Sequence, residues 1–264
     1  MKKDKPYYHQ STLTNYYICP HKMVLSKEHS IEQTEPMRNG LLFEFFALGM
    51  NPRAKEKYGT EEDYAKALIG RKTPATIDPL KKKAEFIKPI FLEPKNAFIT
   101  LKYEDKEYFN GGEADYIGLV EYGGKVIECI ADLKYTGSVA GWRNYIKASD
   151  YFQSVYYSYI VWKMTNKILP FLYVIVDSNF EIPIVSYKLM HFSKENLLQV
   201  KREVDFIHND IIRRPVCSYE TCVKGPYNKP CDFLEWCEYG RELISDSKEI
   251  KFEELVPDFL NPKY

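Results

Sequence analysis

The run EADYIGLVEYGGKVIECIADLKY, residues 113–135, constrains the fold more than any other stretch of the chain. Two segments rich in β-branched and aromatic residues flank Gly123-Gly124, and a glycine pair permits the positive φ values of a tight turn, so the segments read as an antiparallel hairpin. The second strand closes on Asp132 and Lys134, two side chains that a core does not accept without a partner. With Asp115 read as beginning the first strand, antiparallel pairing sets it opposite the end of the second. Asp115 and Asp132 then become neighbours. Residues 132 and 134 share one face because side chains alternate with period two. Adjacent carboxylates repel unless a cation lies between them, and hard divalent ions take oxygen ligands of this kind. A lysine beside such an ion is suited to orienting water or to stabilising charge that develops on a phosphate.

Composition narrows the classes of function. Apolar residues make up 45% of the 264 residues, with 22 Tyr and 15 Phe, which excludes a disordered or fibrous chain. Lys plus Arg equals Asp plus Glu, 37 against 37, so any attraction to nucleic acid must come from a local patch. Lys81, Lys82 and Lys83 form one such run, although a lysine run is more often a solvated helix face. No apolar run approaches the ~20 residues of a membrane span, and the opening MKKDKPYYHQ has no apolar signal region. The expectation is a soluble cytoplasmic protein without a membrane partner.

Helices are expected around Pro20 within TLTNYYICPHKMVLSK, over Pro36–Met50, around Glu61–Leu68 and Pro79–Ile87, from about Ser138 to Thr165, and after a Ser193 cap. Strands are expected in AFITLKY, the hairpin, FLYVIVD and IPIVSYKL. This order predicts an α/β fold, a central mixed β-sheet flanked by helices, with helical additions and a Cys-rich C-terminal segment. A single domain over 1–264 is expected: N-terminal helices at 11–50, a helical covering region at 51–95, a core at 96–190, and a helix with clustered cysteines at 191–240.

Gly112-Glu113-Ala114-Asp115 followed by Asp132-Leu133-Lys134 resembles the Gly-x-x-Asp and Asp-x-Lys motifs of the PD-(D/E)XK nuclease superfamily, in its RecB-like branch. Gln153 and Tyr157, one helical turn apart, match that branch's Gln-x-x-x-Tyr motif. Gly40-Leu-Leu-Phe-Glu44 sits where the branch has a helix with a glycine followed four residues later by a metal-binding residue, His in many relatives and Glu44 here. The resemblance implies a restriction-endonuclease-like core and a DNA exonuclease acting on single strands or ends. Glu44, Asp115, Asp132 and the carbonyl of Leu133 would hold one or two Mg²⁺ or Mn²⁺ ions. Lys134 would position water, and Gln153 and Tyr157 would position the DNA or the lysine. Trp142 or a tyrosine could stack on bases. The alternative is a non-catalytic nucleic-acid-binding subunit of the same fold. The implied partners are DNA and a helicase or a recombination- or CRISPR-type protein, and the size suits a stand-alone nuclease of a virus or mobile element.

Six cysteines are present, and all but Cys129 fall near the two ends. Clustered thiols in a reducing compartment suggest metal ligation before disulfides. NYYICPHKMVL resembles the Tyr-x-x-Cys-Pro element of RecB-like nucleases that carry an iron–sulfur cluster, such as AddB-type and CRISPR-associated nucleases, and CDFLEWC resembles their final cysteine pair. The resemblance implies a [4Fe–4S] cluster on Cys19, Cys222, Cys231 and Cys237, with Zn²⁺ as the alternative occupant. Asn228 stands where the commonest pattern has a cysteine, so Cys217 competes with Cys222 for the second place. Cys129, inside a strand, reads as a small buried hydrophobe.

Overall fold

The computed structural model describes residues 5–29, 31, 33–70, 72, 74–137, 139, 147–179, 181–211, 231–233, 236 and 237. Of these, the residues within Met1–Gln10 and Gln33–Val204 form one compact unit, and those within Ser11–Glu32 and Asp205–Tyr264 form another.

Among the described residues there is one six-stranded mixed sheet and there are eight helices. The strands are β1 (Tyr7–His9), β2 (Ala97–Glu104), β3 (Phe109–Tyr122), β4 (Lys125–Thr136), β5 (Phe171–Asp177) and β6 (Val185–Met190). The helices are α1 (Gln10–Ile18), α2 (Pro20–Glu28), α3 (Glu35–Leu48), α4 (Pro52–Tyr58), α5 (Glu61–Ile69), α6 (Pro74–Ile87), α7 (Ala148–Thr165) and α8 (Lys194–Ile211). The expected α/β class is therefore found. None of these helices is long and apolar enough to cross a membrane.

The sheet runs β1-β3-β4-β5-β6, with β2 also paired to β3. The β3-β4 hairpin turns at Gly123 and Gly124, with φ of +58° and +74°, the left-handed values that a primed turn requires. Strand β5, buried along its whole length, pairs in parallel with β4. Helix α7 provides the crossover between them. It begins at Ala148, after an extended Lys147, later than the expected Ser138, and residues 138 and 140–146 lie outside the described set together with Trp142. Helix α8 starts where expected, the Asn196 N–H donating to Ser193 Oγ at 3.3 Å.

One sheet face is closed by α3, α5 and α6. Leu42, Phe43, Leu68, Leu80, Ala84 and Ile87 from these helices pack with Ala131, Leu133, Leu172, Val174 and Val176. Cys129 lies at 0% exposure in this cluster, and burial pushes its thiol up to about 12. Lys83 belongs here too, against the solvated-face expectation. It is 2% exposed, its ammonium donates to the carbonyls of Asp177 and Ser178 at 3.1 Å each, and it lies 5.6 Å from the Tyr135 ring centroid. Lys81 and Lys82 are exposed. Lys83→Ala is therefore expected to lower stability by about 1–3 kcal/mol in urea unfolding, because two carbonyls lose their donor. The same change at Lys81 should move it by less than about 0.5 kcal/mol.

Asp115 does not begin a strand. It lies inside the 14-residue β3, where the sheet forks. β3 pairs with β4 from Tyr122↔Lys125 down to Tyr116↔Ala131, while further back its residues 109–111 pair with β1. β2 runs along the opposite edge, because Tyr116 pairs with both Ala97 and Ala131, and Gly111 with both Lys102 and His9. Between β1 and β4, that edge of β3 is left open from Gly112 to Asp115. The regular alternation of faces also breaks there. Tyr116 and Ala97 pack into the α3–α6 cluster, yet Ile99, the partner of Ala114, lines a cavity with Val161 and Met164 of α7. Between them Phe98 has φ of +53° and no pairing to Asp115 is formed. A non-glycine residue in this region marks a local distortion of the strand.

Candidate active site at the sheet fork

Each charged group at the fork is placed by a different element. Asp115 Oδ2 accepts a hydrogen bond from the Leu133 N–H at 2.8 Å, which ties the separated strands together where their own ladder stops. Asp132 and Lys134 face α7, since the alternate residues Ala131 and Leu133 belong to the opposite cluster. Asp132 is 3% exposed, and its Oδ2 lies 2.6 Å from Lys134 Nζ. From α7, Gln153 joins both: its Nε2 donates to Asp132 Oδ1 at 2.7 Å and its Oε1 accepts from Lys134 Nζ at 3.3 Å. The amide is thus oriented with oxygen toward the cation and nitrogen toward the anion.

Tyr157, one turn further along α7, lies against Gly112. A Cβ at Gly112 would stand 2.7 Å from the Tyr157 ring, and one at Gly111 would stand 1.9 Å from the Tyr7 hydroxyl. The glycine pair is therefore a requirement of close packing on β3 and not a turn signal. Burial raises the Tyr157 phenol, with Asp132 and Asp115 adding to the effect. Glu44, from α3, hydrogen-bonds the Asp115 carboxyl. The structure thus brings Glu44, Asp115, Asp132, Lys134, Gln153 and Tyr157 into one neighbourhood.

The electrostatics follow from too many carboxylates and too little water. Burial, then the Asp132 charge, pushes Glu44 up to about 7, with Lys134 and the Asp115 hydrogen bond opposing. Burial also raises Asp115 well above the carboxylate range, with Glu44 and Asp132 adding. Lys134 responds in the other direction. Burial works against its charge, but Asp132 and Asp115 outweigh that and raise it. It stays an ammonium at any physiological pH. Two acidic groups missed in the sequence belong to this field. Glu113 is raised by burial and countered by Arg53, and Asp150, in the first turn of α7, is raised by burial and countered by Lys134. The spacing of Asp150, Gln153 and Tyr157, at i, i+3 and i+7, puts Asp150 on the same helix face and was readable from the chain.

Among the described residues no group of three or more His, Cys, Asp or Glu is arranged so that it could hold a metal ion. The donor chemistry at the fork nevertheless suits a hard divalent cation. Three carboxylates converge there, and Asp132 Oδ2 is buried yet accepts no hydrogen bond of good geometry, its close contact being the Lys134 ammonium.

Cys19, Cys231 and Cys237 lie in the second unit. Cys19 is 4% exposed at the break between α1 and α2, extended at φ −164° ahead of Pro20, and its sulfur is engaged in a disulfide. Cys231 and Cys237 are not disulfide-bonded, and the latter is 6% exposed. α2 meets their segment through Lys22, 3.7 Å from Asp232, and His29, stacked on Trp236 at 4.5 Å. Cys217 and Cys222, the two candidates for the second ligand place, lie outside the described residues.

A crystal structure named Putative exonuclease, from Eubacterium rectale, matches with a TM-score of 0.53 over 90% of this chain and 88% of that one, at 15% identity. The two chains share a fold. A second crystal structure, that of SSO0001, covers 97% of this chain and 90% of that one at 13% identity with a TM-score of 0.39. No protein-family model and no curated protein sequence matches the chain.

Proposed function

We propose that the chain is a divalent-metal-dependent DNA nuclease of the PD-(D/E)XK superfamily, RecB-like branch, an exonuclease acting on single strands or ends. The observation that carries this reading is the fork itself. Asp115 bonds the backbone of Leu133 at 2.8 Å while Asp132 and Lys134 pair at 2.6 Å beside it, so the Gly-x-x-Asp and Asp-x-Lys segments meet at one point. The exonuclease-named neighbour of the same fold adds to it.

Glu44, Asp115, Asp132 and the carbonyl of Leu133 would hold one or two Mg²⁺ or Mn²⁺ ions. A cation bound there neutralises charge on the phosphodiester and eases ionisation of the attacking water. The residues supply the rest. Asp132 and Asp115 fix the carboxylate geometry, Asp115 through its bond to Leu133. Lys134 presents a permanent positive charge that can orient the water and stabilise charge on the phosphoryl oxygens. Gln153 holds Asp132 and Lys134 in register with each other. Tyr157, packed over Gly112 beside the carboxylates, would help to position the strand or the lysine.

We further assign Cys19, Cys231, Cys237 and Cys222 to a [4Fe–4S] cluster, with Zn²⁺ as the alternative occupant. What supports this is the burial of Cys19 and Cys237 within one unit. Ligation needs the Cys19 sulfur as a thiolate, so its disulfide must be reduced first.

The test is digestion of end-labelled single- and double-stranded DNA by anaerobically purified protein. Metal-dependent release of label, abolished by EDTA, is expected. DNA binding without cleavage under either metal would favour the non-catalytic reading. For the cluster, iron and sulfide should co-purify and disappear in Cys19→Ser or Cys237→Ser. Zinc without iron would overturn that part alone.

A further inference from the structure

We propose that Tyr173 is a positioning residue for Lys134, offering its ring face to the ammonium while its hydroxyl is tethered to the start of α7. This rests on the nuclease reading of the fork, in which Lys134 acts on the phosphodiester.

Tyr173 sits directly beside Asp132 in the parallel β4-β5 ladder, and Lys134 lies beside Ile175. Asp132, Lys134 and Tyr173 therefore share the sheet face that looks toward α7. Lys134 Nζ stands 5.7 Å from the Tyr173 ring centroid, within the range of a cation–π interaction. The ring is fully buried, at 0% exposure, and its hydroxyl donates to the Asp150 main-chain carbonyl at 2.5 Å. The rest of β5, Phe171, Leu172, Val174, Ile175 and Val176 up to Asp177, is aliphatic or Phe. A tyrosine in such a strand buries a hydroxyl that must be satisfied, and here it is satisfied by the helix that also carries Gln153.

The need for such a platform comes from Asp132. A lysine reaches its ammonium through four rotatable bonds and loses much of its rotamer freedom when held. In the structure the closest restraint on Nζ is Asp132 Oδ2 at 2.6 Å. If that carboxylate turns to a divalent cation, the lysine loses its counter-ion to the competitor. Gln153 is itself bonded to Asp132 through Nε2, whereas the Tyr173 ring face makes no demand on Asp132 and so keeps Nζ in place when the ion pair loosens. Tyr173 acts only through Lys134 and touches no reacting atom.

The experiment has three parts. Comparison of wild type with Lys134→Ala decides the underlying nuclease reading by itself: equal rates sink that reading, whatever Tyr173 does. In the same assay Tyr173→Leu should lower kcat about tenfold with KM within about twofold, Tyr173→Phe should stay within about threefold, and Lys134→Ala/Tyr173→Leu should be no slower than Lys134→Ala. Independently of activity, metal-free protein labelled with ¹³Cε-lysine, assigned with Lys134→Arg, should show the Lys134 resonance shifted upfield by the ring, retained in Tyr173→Phe and lost in Tyr173→Leu. Should Tyr173→Leu not fold, phenylalanines of increasing fluorination at position 173 keep the volume, and kcat should fall stepwise as the ring loses its hold on cations. Losses that add in the double variant, a flat fluorination series, or a Lys134 resonance unshifted in wild type would each overturn the proposal.

Discussion

Metal-free protein is expected to lose stability as pH rises from about 4.5 to about 7, and to regain it when Mn²⁺ or Mg²⁺ is added. Glu44 is lifted to about 7 from an ordinary 4.5, chiefly by burial and then by Asp132. Asp115, Glu113 and Asp150 are raised as well, each first by burial. A carboxyl whose folded pKa exceeds its unfolded value binds more protons in the folded state between the two. Its contribution is fully present below the unfolded value and disappears as pH climbs through the folded one. For Glu44 this amounts to on the order of 3 kcal/mol at neutral pH. A divalent cation replaces the protons that hold the carboxylates together, so it should flatten the dependence. Urea midpoints at pH 5.5, 6.5 and 8, in EDTA and in Mn²⁺, check this. A metal-free stability that rises over that range would contradict the electrostatic account of the fork.

Lys134→Ala should reduce the rate of phosphodiester cleavage about 10²–10³-fold with little change in KM, the scale seen when a group that stabilises charge in the transition state is removed. The fold should survive. Removing the ammonium leaves Asp132 buried with Gln153 as its remaining hydrogen-bond donor, which costs about 1–3 kcal/mol, and that loss should shrink in the presence of a divalent cation. Single-turnover kinetics separate the chemical step from binding and measure the effect directly. A large rise in KM at unchanged kcat would move Lys134 from the chemistry to substrate binding.

The sequence carried the α/β class and the hairpin plainly, because Gly123-Gly124 and the β-branched runs are local signals. It hid whatever depended on pairing between distant residues. β1 is three residues long and exists only through its parallel ladder to residues 109–111. Asp115 reads as the start of a strand, whereas it lies within β3, where Gly111 and Gly112 make room for Tyr7 and Tyr157. The charges at the hairpin end are explained by the fork, a feature of sheet topology with no local signature. Lys83 read as one of three solvated lysines, and its burial follows from carbonyls at the end of β5. Tyr173 could not be singled out among 22 tyrosines until the register set it beside Asp132.

The account stands most directly on one comparison: single-turnover digestion of end-labelled DNA in Mg²⁺ or Mn²⁺ by wild type and by Asp132→Asn, matched for folding by circular dichroism. Asp132→Asn keeps the shape of a side chain that is 3% exposed while removing its charge. The prediction is metal-dependent digestion by the wild type and a loss of at least about 10³-fold in the variant. Equal digestion by both proteins would contradict the assignment of the fork as the active site.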